Sequence, residues 1–107
     1  MTEFRKISII GLGLIASSIC RTIRERDPEI QIAGYDNDKK VRNRAKKIGL
    51  CEVERNIENA ASGSKLIIIC VPVGQMQAVI KKLKKFIKPG TTITDVGSVK
   101  LSVIEEL

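Results

Sequence analysis

The sequence predicts an α/β protein built on a doubly wound parallel sheet, on three observations. Short apolar runs at residues 5–10, 30–35, 66–71 and 91–96 alternate with segments of helical periodicity. The run at 66–71, LIIICV, is continuously apolar, as in a strand covered on both faces. The first run passes directly into Gly11-Leu12-Gly13-Leu14-Ile15-Ala16, and the second ends in Asp36, about 20 residues beyond Ala16. Strand, glycine turn, helix, strand, acid is the spacing of a dinucleotide-binding βαβ unit. Right-handed crossovers then give a Rossmann-type sheet of five strands in order 3-2-1-4-5, with a ligand crevice between strands one and four.

Each element has its reason. After the strand at 5–10, Gly11 permits a tight turn, and Gly13 lets a pyrophosphate approach the main chain. Ala16 stands where a third glycine is usual, because the helix must pack close to the strand. Helix one spans 14–26, with Ile15, Ile19 and Ile23 as its apolar stripe, and Asp27-Pro28 ends it. Its first amides, at Leu14 and Ile15, face the phosphates of a ligand. Asp36 closes the second strand and accepts hydrogen bonds from a ribose diol. A 2′-phosphate would be repelled there, so Asp36 argues for NAD over NADP, with Lys39 and Lys40 nearby as the counterweight.

Helix two spans 38–47, with Val41, Ala45 and Ile48 on its apolar face and Gly49 as its stop. A short third strand falls at 51–54, a turn of helix at 56–61 and a loop at 62–64. Helix four spans 75–87 with Met76, Val79, Ile80, Leu83 and Phe86 inward, and Lys88-Pro89-Gly90 closes it. Residues 99–107 read as the start of another helix.

With 107 residues, one domain is expected. There is no histidine, and Cys20, Cys51 and Cys70 are odd in number and form no CxxC, which argues against zinc and against a disulfide framework. The cysteines read as small buried side chains in a reducing compartment. Net charge is +7, concentrated at residues 39–47 and 81–88. Without aromatic residues beside them to stack bases, these read as solvated helix faces rather than a nucleic-acid surface. No run has the 18 or so apolar residues of a membrane span, and the expectation is a cytoplasmic protein.

Two loops after strands add detail. After strand four, Val71 and Pro72 stiffen a turn beside the nicotinamide half of a cofactor. After strand five, Asp95, Gly97, Ser98 and Lys100 share one turn. DVGSVK at 95–100, VPV at 71–73 and GLGLIASS at 11–18 together resemble the prephenate dehydrogenase family, over essentially the whole chain. The resemblance implies a nicotinamide cofactor and oxidative decarboxylation of prephenate, or of the related arogenate, in tyrosine biosynthesis. It implies cofactor contacts at Gly11, Gly13, Leu14, Ile15, Asp36, Val71, Pro72 and Gly97. It matches Ser98 to the family serine that meets the substrate hydroxyl region and helps hold the catalytic histidine.

The departures are as informative. Ala16 and Ser17 replace two glycines of the usual GLGLIGGS, and the histidine of the family's HPM-type motif is absent. Residues 1–107 thus correspond to the family's amino-terminal NAD(P)-binding part, without its last strand and its helical, dimer-forming domain. Such a stretch is expected to bind NAD weakly or not at all and to turn over nothing alone; prephenate becomes a partner only if a substrate domain is supplied. An open edge at strand five points to pairing with another chain, a homo-oligomer included. Two other readings stand beside this one: a different βαβ dehydrogenase of 3-hydroxyacid or pyrroline-carboxylate reductase type, and a stand-alone NAD-sensing or regulatory module.

Overall fold

The computed structural model describes residues 5–95. Its elements run β1 (Lys6–Ile10), α1 (Leu14–Arg26), β2 (Gln31–Tyr35), α2 (Lys39–Lys47), β3 (Glu52–Val53), α3 (Ile57–Ala61), β4 (Leu66–Ile69), α4 (Val73–Leu83) and β5 (Thr92–Asp95). The strands form one sheet in the order β3-β2-β1-β4-β5, and every pairing is parallel. The strand order is the one the sequence predicts. Val96 and residues 97–107, including Gly97, Ser98 and the last helix expected from sequence, lie outside the described residues.

The central strands need apolar cover on both faces, and two core clusters supply it. One packs Ile7, Ile9, Ile32 and Ile68 against Ala16 and Cys20 of α1 and Ala45 of α2. The other packs Ile10, Ile67 and Ile69 against Ala60 and Ala61 of α3 and Met76 and Leu83 of α4. Ser8 is the buried polar residue of β1. It is fully buried, and its hydroxyl meets the Ala60 carbonyl and the Ser64 hydroxyl. That pair satisfies the group and ties β1 to α3.

Several local expectations are corrected. Ile15 is exposed, and α1 instead presents Ala16 and Cys20 to the sheet, with Ile19 and Ile23 alongside. Small side chains at these two positions let the helix lie close to the strands. Ile48 is also exposed, because α2 has ended by then; Leu50 turns inward in its place, its amide bonded to the Ala45 carbonyl. Helix α4 begins at Val73 rather than Gln75, capped by Pro72, which needs no amide of its own there. It ends at Leu83, and Phe86 lies in the turns that follow. Among the described residues no helix is long and apolar enough to cross a membrane.

Candidate nucleotide-binding site

The site forms where the strand order reverses, at the carboxyl ends of β1 and β4. β1 runs into Gly11, whose φ of +96° only glycine adopts easily. A Cβ there would also lie 2.9 Å from the main-chain carbon and oxygen of Cys70, so this glycine is required by the fold itself. The Gly11 amide donates to the Tyr35 carbonyl, and the Cys70 amide donates to the Ile10 carbonyl. The three strand ends are thereby pinned together.

Gly13 is different. Its φ is −83°, open to any residue, and a Cβ built on it would meet nothing within 4 Å. The protein's own packing leaves that space clear. Gly13 caps α1 without a side-chain bond, and the first intrahelical bond runs from the Ser17 amide to the Gly13 carbonyl. The amides of Leu14, Ile15 and Ala16 precede that bond and have no intrahelical acceptor. No acidic residue occupies the first turn, so the positive end of the helix is not neutralised.

Asp36 closes the other side. Its Oδ2 accepts from the Leu12 amide at 2.8 Å and its Oδ1 accepts from the Asp38 amide at 2.8 Å. One carboxylate thus joins the glycine turn to the turn that follows β2. Each oxygen keeps a further lone pair, so a diol can still donate to both. Asp38 in turn caps α2, accepting from the Lys40 amide at 2.8 Å.

These groups border a crevice of about 660 Å³. Gly11, Gly13, Asp36, Val71 and Pro72, all expected from sequence, line it. Leu14 and Ile15, also expected from sequence, do not line it, and both side chains are exposed. Gly97 and Ser98 lie outside the described residues. Tyr35, Asn37, Gln75, Ala78 and Lys82 line the crevice too, and no motif in the sequence marks them as site residues. Gln75, Ala78 and Lys82 follow helical spacing on α4, on a face beside the apolar stripe, so the pattern that finds a core passes over them.

Cys70 also lines the crevice. Burial, then the neighbouring Cys20 and Asp95, push its thiol up to about 12, so it stays protonated near neutrality. In the core cluster beneath α1, a hydrogen bond from Cys51 holds Cys20 below the usual thiol range and Cys51 above it. Among the described residues no group of three His, Cys, Asp or Glu side chains gathers as for a metal ion.

A glycine turn at the switch point of a parallel sheet, with free helix amides on one side and a clasped carboxylate on the other, defines a Rossmann-type nucleotide-binding domain. The family model described as prephenate dehydrogenase, nucleotide-binding domain, matches residues 19–107, and the chain belongs to that family. The match begins inside α1, after the glycine turn. Cyclohexadienyl dehydrogenase of Zymomonas mobilis is 40% identical over 108 residues, covering 100% of this chain and 37% of its own. Prephenate dehydrogenase of Lactococcus lactis is 38% identical over 102 residues, covering 94% of this chain and 28% of its own. The chain therefore spans about a third of the length of these relatives. The crystal structure of prephenate dehydrogenase from Aquifex aeolicus, in complex with hydroxyphenyl propionate and NAD+, superposes with a TM-score of 0.79 at 21% identity. That match covers 88% of this chain and 34% of the other, and it establishes likeness of fold.

Proposed function

We propose that the crevice binds NAD, in preference to NADP, as the nucleotide-binding part of a dehydrogenase that oxidises prephenate or its close relative arogenate. The observation that carries this is the clear space over Gly13, beside a helix start with free amides and opposite the carboxylate of Asp36. A glycine that neither backbone nor packing requires fits a ligand's close approach. The pyrophosphate would lie over Gly13 against the amides of residues 14–16, and the adenosine ribose would donate to Asp36. A 2′-phosphate would meet that carboxylate, and repulsion sets the preference. Val71 and Pro72 would flank the nicotinamide end.

A nicotinamide held there would supply the hydride acceptor. What this chain's residues do is hold and orient the dinucleotide. Removing a proton from the substrate hydroxyl calls for a base, and the chain has no histidine. A hydroxyl such as that of Ser98, assigned to the substrate by resemblance alone, is too weak a base unaided. In this reading a substrate domain supplies the base, and residues 1–107 alone bind the cofactor weakly and turn over nothing.

Titration of NAD and NADP into the wild type and Gly13→Ala tests the binding half. The expected result is NAD bound more tightly than NADP by the wild type, with NAD weakened about tenfold or more in a variant of unchanged melting temperature. Equal NAD affinity in the two proteins would refute the placement of the diphosphate.

A further inference from the structure

Arg42 differs from the other cations of α2. Lys39, Lys40, Arg44, Lys46 and Lys47 are exposed, whereas Arg42 is half-buried. Its guanidinium lies 5.7 Å from the centre of the Tyr35 ring. Its Nη1 donates to the Asp36 carbonyl at 2.8 Å and to the Asn37 carbonyl at 3.3 Å. Tyr35, Asp36 and Asn37 line the crevice, and Arg42 does not. It braces from outside the turn whose inner side carries the ribose carboxylate. Both bonds come from Nη1, whose two N–H groups serve neighbouring carbonyls, and the guanidinium stays charged throughout the working pH range.

We propose that Arg42 is a positioning residue that sets cofactor selectivity, by holding the 36–37 turn in the form that aims Asp36 at a ribose diol. The proposal rests on the NAD reading above. Asp36 Oδ1 is fixed by the Asp38 amide, which belongs to the same turn. Release of the two carbonyls loosens that turn and lets the Oδ1 bond part, so that the carboxylate is held by the Leu12 amide at Oδ2 alone and can turn about that bond out of its aim. A ribose diol then loses its acceptor, while a 2′-phosphate loses its repulsion.

The direction of the change separates this role from two simpler ones. If Arg42 acted only through its charge, its removal would weaken the more anionic NADP more than NAD, and the preference for NAD would widen. If it served only stability, melting temperature would fall and the ratio of the two affinities would hold. The positioning role alone narrows the ratio.

The experiment is titration of NAD and NADP into wild type, Arg42→Met and Arg42→Lys at one ionic strength. In Arg42→Met, NAD is expected to weaken about tenfold and NADP by about threefold or less, with part of the NAD affinity recovered in Arg42→Lys. A ratio that is unchanged or widened overturns the proposal, whatever the melting temperature. If Arg42→Met does not fold, Arg42→Lys and Arg42→Gln are read by the same criterion. A wild type that binds no NAD defeats the site and this role together; a wild type that binds NAD, with the ratio unmoved in the variants, defeats only this role.

Discussion

The main-chain amide of Leu12 donates to Oδ2 of Asp36 across 2.8 Å, joining the glycine turn to the end of the neighbouring strand. The other carboxylate oxygen takes the Asp38 amide at 2.8 Å. Asp36 therefore holds together the crevice wall that it also lines. Asparagine has the same shape but a single acceptor oxygen, so Asp36→Asn must set its NH2 group against one of the two amides. One bond of the pair is lost, at a cost of about 1–3 kcal/mol. Calorimetry should find a melting point lower by several degrees, at roughly 4–8 °C per kcal/mol for a domain this size. Titration should find NAD weakened about tenfold and the margin over NADP reduced.

Gly11 and Gly13 look equivalent in the motif and are opposites in the structure. Alanine at Gly11 must take a φ of +96° and place its Cβ 2.9 Å from the Cys70 main chain. The backbone strain alone costs about 1–3 kcal/mol, and the clash adds to it. Gly11→Ala should lower the melting temperature by roughly 10 °C or more, or fail to yield folded protein. The contrast with an unperturbed Gly13→Ala is the measurement. Equal thermal stability of the two variants would mean that the β1–α1 turn does not depend on Gly11.

What could be read in advance follows from where a constraint acts. Gly11, Ala16 and Asp36 answer to local demands, a positive φ, a close helix and a strand end, and such demands leave a residue type at a fixed spacing. The parallel sheet followed from apolar runs alternating with helices, and its strand order from the dinucleotide-binding pattern of glycine turn and acid. Ile15 and Ile48 misled because periodicity counts hydrophobic residues, whereas α1 meets the sheet through Ala16 and Cys20, and α2 has ended before Ile48. Nothing local marks Gly34 inside β2. A Cβ there would come 2.7 Å from Cys51 Sγ and 2.8 Å from Leu12 Cδ2, two atoms brought in from other elements. The return of Arg42 to the carbonyls of residues 36 and 37 likewise leaves no trace in spacing, since one arginine in a basic helix resembles the next.

Ser8 offers a test of the fold separate from the site. Its buried hydroxyl meets the Ala60 carbonyl and the Ser64 hydroxyl. Ser8→Ala leaves both partners short of a bond, at a cost of about 1–3 kcal/mol. Melting temperature should fall by several degrees, while NAD affinity well below the transition stays at the wild-type value. Because Ser64 shares the bond, Ser8→Ala combined with Ser64→Ala should cost less than the two single losses together. Strict additivity would show that the two hydroxyls act independently.

Cys70 predicts how stability responds to alkali. Its folded thiol keeps its proton up to about 12, chiefly through burial, while the ordinary value is 9.0. Below about pH 9 the thiol is neutral in both states and its contribution is intact. Between the two values the unfolded chain gives up the proton and the folded chain does not, so unfolding is favoured progressively as pH rises. Denaturant titrations of wild type and Cys70→Ala should therefore converge in that window: a gap in stability near pH 8, set by the lost packing, shrinks as pH 12 is approached. Cys51, whose thiol is also raised, is present in both proteins and cancels in the comparison. A gap that stays constant or grows with pH would mean that the folded thiol ionises as readily as the unfolded one, and that the wall of the crevice at Cys70 is wetter than its packing implies.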